Sequence, residues 1–277
     1  MKADSLEHLT ERRQCGGFRF ALSPLCPSSE KLMELVMGKC EPERYFRQGR
    51  RRNVMLLERM IVKLYDFHKL SDLLHSARYA PREVECYHDY VKAFGKPEGF
   101  RLPALLGYFE KPLFLGLYRA NGIVNEYIPD THEMTKAELM LTVPLFAHLY
   151  RQGIYHPDMQ LKNILYQPAT RTVVPIDYMG TNILSAPSWE ALLIQMAHFL
   201  KMGGIPEEVG KPFVEAVIQS LPETHLDLER GWDCITKIWE LTITTHQYHH
   251  PIFLPEWLRE ETLRGKKGTL AELSSTM

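Results

Sequence analysis

The five cysteines, Cys15, Cys26, Cys40, Cys86 and Cys234, are scattered, odd in number and contain no C-x-x-C pair, so they propose neither a zinc site nor a redox couple. Reduced thiols in a cytoplasmic protein fit this usage. Excess charge of one sign is also missing: 33 Lys+Arg stand against 34 Asp+Glu, a formal net charge of -1. That balance provides no basic field for nucleic acid and no acidic tail. The opening stretch MKADSLEHLTERRQ lacks the apolar core of a signal peptide, and the most apolar run, LMLTVPLFAHLY, is shorter than the roughly 20 residues that span a bilayer. Any membrane contact is therefore expected to be peripheral. There is no internal repeat and no low-complexity tract. Function must come from local sites.

What is present is enough for a sizeable core: 277 residues, 45% of them hydrophobic. Residues 1 to 30 are poorly periodic and are set aside as an N-terminal extension, helical or mobile. From residue 53, NVMLLE and MIVKLYDF read as two strands meeting at a tight turn near Glu58 and Arg59, with Lys63 interrupting the second. PREVECYHDYVKAFG reads as a helix with Pro81 in its first turn and Gly95 as its stop. Val84, Tyr87, Tyr90, Val91 and Phe94 share its apolar face, with Glu83 at the edge of that face and Glu85 opposite. PLFLGLY and GIVNEYI flank RAN as an antiparallel pair would. TKAELMLTVPLFAHLYRQG is a helix with a capping box at Thr135 and Glu138, a stop at Gly153, and Pro144 as a kink. From Trp189 onward the pattern is mainly helical, with loops around MGGIPEE and HHPIFLPEW. Strands first and helices later predict an α+β chain in two segregated parts.

The segment GIYHPDMQLKNILY concentrates polar side chains between a helix and a strand. His156, Asp158 and Asn163 fall in its loop, NILY resumes as a strand, and TVVPIDYMG follows with Asp177 just before Gly180. Two short strands joined by a turn place Asn163 near Asp177. An amide oxygen and a carboxylate there suit Mg²⁺, which prefers oxygen donors and keeps several waters. Asp158, just upstream, is suited to accept a proton from a hydroxyl.

His156-Pro157-Asp158 with Asn163 resembles the H-x-D-x-x-x-x-N loop of protein-kinase-like phosphotransferases, and Asp177-Tyr178-Met179-Gly180 resembles their metal-binding D-F-G segment. The resemblance covers about residues 50 to 200. It implies a bilobal protein-kinase-like fold, with an N-lobe over 31–128 and a helical C-lobe over 129–277. It implies ATP and Mg²⁺ as cofactors, Lys63 on the nucleotide phosphates with Glu83 as its partner, and Asn163 and Asp177 on the metal. It further implies adenine contacts from the backbone of Glu126 and Ile128, and Val124 near the gatekeeper position. Within the superfamily, chain size and GIYHPDMQLKNILY look most like the lipopolysaccharide core kinases, which phosphorylate heptose or Kdo sugars at the inner face of the envelope. The implied partner is a hydroxyl-bearing acceptor, a glycolipid core sugar, met at an anionic membrane.

Three departures stand beside the resemblance. Gln160 occupies the place of a lysine in serine/threonine protein kinases, and no A-P-E segment follows. Gly38 and Gly49 lack the spacing of a glycine-rich loop; Arg44, Arg47, Arg50, Arg51 and Arg52 are candidates to supplement it or to bind an anionic acceptor or membrane. Two alternatives therefore stay open: a kinase of another acceptor (aminoglycoside, choline-like alcohol or protein), and a nucleotide-binding pseudokinase. His246, His249 and His250 have no acidic or thiol partner nearby and are read as structural; Trp189, Trp232, Trp239 and Trp257 are left to packing.

Overall fold

The computed structural model describes residues 7–48, 52–66, 79–113, 118–156 and 158–241. The chain divides into two compact units: Met1–His88 with Pro103–Pro129, and Asp89–Leu102 with Asp130–Met277.

The first unit is built on one seven-stranded antiparallel sheet. Its strands are β1 (Glu11–Cys15), β2 (Phe18–Leu22), β3 (Arg44–Arg47), β4 (Arg52–Leu57), β5 (Met60–Asp66), β6 (Leu105–Pro112) and β7 (Tyr118–Glu126), in the order β1-β2-β6-β7-β5-β4-β3. Residues 11–22, which show little periodicity, form the β1–β2 hairpin, because pairing with β6 supplies order that the local pattern does not. The β4–β5 turn falls at Glu58 and Arg59, both with positive φ (43° and 65°). Two successive positive φ values match the right-handed twist of the flanking strands. RAN does not form a turn: β7 runs straight through Arg119, Ala120 and Asn121 and pairs with β6, whose alternation in ALLGYFEKP is masked by a continuous apolar stretch.

Alternation along the strands divides the core between the two faces of the sheet. Helix α1 (Ser29–Val36) covers one face, where Leu32 and Leu35 join Phe20, Met60, Val62, Phe109 and Val124. Helix α2 (Tyr79–Phe94) meets the other with Ala80 and Val84, which pack with Tyr65, Tyr108 and Ile123. The boundary between the units falls within α2, after His88. Gly95, at φ 67°, ends α2 in the left-handed conformation that glycine adopts without penalty.

Gly122 decides the packing of the aromatic cluster. It lies directly opposite Phe109, whose ring sits 5.8 Å from Phe20 and 6.3 Å from Phe18. A Cβ at this position would overlap the Phe109 ring and the Lys63 carbonyl oxygen. Gly122→Ala is therefore expected to lower stability by about 1–3 kcal/mol, the range for overpacking a close-packed core. Urea denaturation of the variant checks this, and an unchanged midpoint would refute it.

The second unit is mainly helical: α3 (Val143–Arg151), α4 (Trp189–Met202), α5 (Glu207–Gln219) and α6 (Leu228–Leu241). The expected single helix over 135–153 is instead a 3₁₀ turn, Lys136–Thr142, followed by α3. Pro144 thus lies in the first turn of a new helix, where its missing N–H costs nothing, and does not kink an interior. The Glu138 carboxylate accepts from the Thr135 N–H at 3.0 Å, as the capping-box reading required. Phe146, Phe199 and Phe213 bring α3, α4 and α5 together, with centroids 5.0 to 5.7 Å apart. Short strands frame one side: β8 (His132–Glu133), β10 (Ile164–Gln167) and β11 (Thr172–Pro175) form one sheet, and β9 (Ile154–Tyr155) pairs with β12 (Asn182–Ile183). His246, His249, His250, Trp257 and the HHPIFLPEW loop lie outside the described residues.

Candidate functional site

In the first unit, Lys63 projects from β5 on the α2 face and its ammonium forms an ion pair with Glu83. The pleat and the helix period select this match: Lys63 lies opposite Ile123, on the face where Val84 packs, and Glu83 adjoins that apolar stripe. Both side chains are buried, at 8% and 1% exposure. The Tyr65 hydroxyl donates to the second Glu83 oxygen at 3.0 Å, a contact not foreseen from sequence although Tyr65 and Lys63 are two residues apart on one strand face. A buried charge persists only when it is paired and its remaining lone pairs are filled, and Tyr65 completes that requirement.

Val124 behaves differently from the expectation. It pairs with Val62, is fully buried, and belongs to the cluster on the α1 face, so its side chain points away from Lys63. The β7 side chains that share the Lys63 face include Asn121, Ile123 and Asn125, opposite Tyr65, Lys63 and Ile61. Downstream, the Glu126 N–H donates to the Ala104 carbonyl at 2.8 Å and the Tyr127 N–H to that of Arg59 at 2.8 Å. Ile128 is buried. Of the arginine cluster, Arg44 and Arg47 lie on the exposed edge strand β3, and Arg52 stands 5.7 Å over the Tyr65 ring. Gly49, Arg50 and Arg51 fall outside the described residues.

In the second unit, the polar loop follows α3. Gly153 reverses the chain at φ 64°, β9 carries it to His156, and a 3₁₀ turn, Leu161–Asn163, leads into β10. Asn163 donates its Nδ2 to the Asp158 backbone carbonyl (2.8 Å) and to Asp158 Oδ2 (3.1 Å). Both amide protons thus face Asp158, which turns the amide oxygen outward from this contact. The β10–β11 register places Ile164 opposite Pro175, and the Ile176 N–H donates to the Asn163 carbonyl at 2.9 Å. Asp177 is the next residue along the chain from Ile176, so its backbone follows directly on the segment bonded to Asn163. The strand itself ends at Pro175, and Asp177 takes φ 62°, a conformation Asp tolerates better than most residues.

Asp158 is cradled. Gln160 Nε2 donates to its Oδ1, and Nε2 of His198, on α4, lies 3.6 Å from the same oxygen. Burial pushes the carboxyl up, but His198, Gln160 and His156 outweigh burial and the opposing charge of Asp177, holding it below the ordinary aspartate value. The group is therefore ionised near neutral pH. His156 is fully buried, and burial lowers its basicity against the opposing pull of Asp177 and Asp158. The ring stands edge-on to Tyr90 at 6.1 Å. The His156 backbone N–H is held by Gln195 Oε1 at 2.9 Å. Tyr90 also contacts Tyr178 at 4.6 Å.

Gln160, Gln195 and His198 were not assigned roles in the sequence. The available signal was Gln195 and His198 three residues apart in the otherwise apolar WEALLIQMAHFL, the spacing of one helix face.

No protein-family profile matches the sequence, and no curated protein matches it. Solved structures do. The structure of WaaP in complex with acyl carrier protein aligns over 89% of this chain and 98% of that one, at TM-score 0.50 and 13% identity. The fold is that of the protein-kinase-like phosphotransferases. Weaker likenesses are WbdD, at 18% identity and TM-score 0.47, and the choline kinase LicA from Streptococcus pneumoniae, at 11% and 0.46. The chain spans 51% of the WbdD chain and 92% of the LicA chain. No helix among the described residues is long and apolar enough to cross a membrane. Likewise, no group of three or more His, Cys, Asp or Glu side chains suited to a metal occurs among them. A Mg²⁺ site of the kinase kind does not need one, since one or two protein oxygens with phosphates and water complete the shell.

Proposed function

We propose that the chain is an ATP- and Mg²⁺-dependent kinase that transfers the γ-phosphate to a hydroxyl of a lipopolysaccharide core sugar. The observation that carries the reading is the Asp158–Asn163 pair: an ionised carboxylate fixed by an amide whose oxygen is turned away from it, on a residue whose carbonyl accepts from Ile176, the neighbour of Asp177. Asn163 and Asp177 would hold the metal, which when bound neutralises phosphate charge. Lys63, kept in place by Glu83, would neutralise the α and β phosphates. The acceptor oxygen attacks the γ-phosphorus, the bond to the ADP oxygen breaks, and Asp158 orients the hydroxyl and takes its proton. Because the Glu126 N–H is already taken, its contact with adenine would come from the carbonyl, with Ile128 backbone beyond it. The sugar acceptor is supported by the resemblance of GIYHPDMQLKNILY, and the exposed Arg44 and Arg47 suit a phosphorylated glycolipid at an anionic surface.

The test is transfer of labelled γ-phosphate from ATP to core glycolipid, aminoglycoside, choline and protein acceptors side by side. Label in the glycolipid alone is the expected result; label in another acceptor would overturn the substrate but not the chemistry. The missing glycine-rich spacing favours a second reading, a nucleotide-binding pseudokinase. Thermal-shift titration separates them in part, since ligand at 100 times its dissociation constant stabilises by about 2.7 kcal/mol. In that assay Asp177→Ala is expected to abolish most of the additional shift that Mg²⁺ gives with ATP. An Mg²⁺-dependent shift equal to the parent protein's would remove Asp177 from the metal site.

A further inference from the structure

Helix α4 is buried along almost its whole length, from Glu190 to Leu200. A polar side chain in such a helix costs free energy unless a partner compensates it, so each one calls for a reason. Gln195 has one: its Oε1 accepts from the His156 N–H at 2.9 Å and its Nε2 reaches the Ile154 carbonyl at 3.4 Å, fastening the backbone of the loop. His198 is one turn further along the same face and 1% exposed, and its Nε2 lies 3.6 Å from Asp158 Oδ1. That distance is one small rotation of the carboxylate short of a hydrogen bond. The same helix therefore addresses the loop twice, at the backbone of His156 and at the side chain of Asp158.

We propose that His198 is a positioning residue that fixes the rotation of the Asp158 carboxylate through Nε2, together with Gln160 on the same oxygen and Asn163 on the other. This rests on the kinase reading of Asp158. A carboxylate held at both oxygens presents its remaining lone pair in one direction, and a misplacement of about 1 Å can cost 10²-fold in rate. A histidine serving only to fill space would be replaced by leucine without kinetic effect. One serving to present a nitrogen at the Nε2 position would be replaced by glutamine, whose amide nitrogen reaches about as far, but not by asparagine, which stops at the Nδ1 position.

Steady-state turnover of labelled MgATP, with and without the acceptor that the panel identifies, reads this directly. His198→Leu and His198→Asn are expected to lower kcat by about 10-fold to 10²-fold with KM for MgATP within about twofold, the pattern of an interaction made in the transition state. His198→Gln is expected to recover most of the loss. In an Asp158→Asn background, His198→Leu should add no further loss, because residues acting through one group are not additive. Should His198→Leu fold poorly, the Asn and Gln variants still decide the matter. Equal kcat in those two, or leucine as active as histidine, overturns the proposal. Absence of any turnover in the unsubstituted protein would instead overturn the kinase reading on which it stands.

Discussion

Asp158→Ala is expected to lower phosphoryl transfer by a factor on the order of 10² or more, the range lost with a general base, while MgATP affinity stays nearly intact. The separation follows from the contacts. Asn163 is held by two acceptors on Asp158, and one of them is the backbone carbonyl at 2.8 Å, which alanine retains. The amide therefore keeps its orientation toward the metal when the carboxylate is gone. Gln160 and His198 lose their common acceptor but carry no phosphate in the proposed mechanism. Single-turnover transfer measures the rate, and calorimetric titration with MgATP measures the affinity. A variant whose affinity falls as far as its rate would make Asp158 a ligand of the metal and not the base. A variant with full activity would remove it from the site.

Glu83→Ala is expected to destabilise the protein by about 3–5 kcal/mol, because it removes the carboxylate paired with the buried Lys63 ammonium. Domains of this kind unfold with about 5–15 kcal/mol, so the loss is a large share of the total. The Tyr65 hydroxyl loses its bond to Glu83 by the same change. The double replacement Lys63→Met with Glu83→Leu separates stability from function: it removes both charges and should recover most of the lost stability, yet bind ATP poorly. Urea denaturation together with a nucleotide thermal shift distinguishes the two effects. A single Glu83→Ala variant that unfolds at the parent midpoint would show that Lys63 is hydrated and that the pair does not hold the helix to the sheet.

Which parts of this arrangement could be read from sequence follows from the range of the interactions. Glu83 was separable from Glu85 because a helix turns 100° per residue, and one apolar stripe places every residue around the axis. The Glu58–Arg59 turn and the pairing of the two strands after Asn163 and before Asp177 rest on short connections, where few chain paths exist. At Val124 the face could not be read because Ile123 and Val124 are consecutive apolar residues buried on opposite faces of the strand, which hides the alternation that tells one face from the other. The same masking concealed β6, and with it the true partner of β7. The β1–β2 hairpin carries almost no periodic signal because its order is borrowed from β6, far along the chain.

Local pattern thus sufficed to single out Lys63, Glu83, Asp158, Asn163 and Asp177 as candidates, since residue type and spacing along helices and turns are properties of the chain before it folds. The cradle around Asp158 is another matter. His198 lies forty residues downstream, and nothing in its neighbourhood says which carboxylate it will face. That is settled only when α4 packs beneath the loop, because a contact across such a separation depends on the closure of everything between.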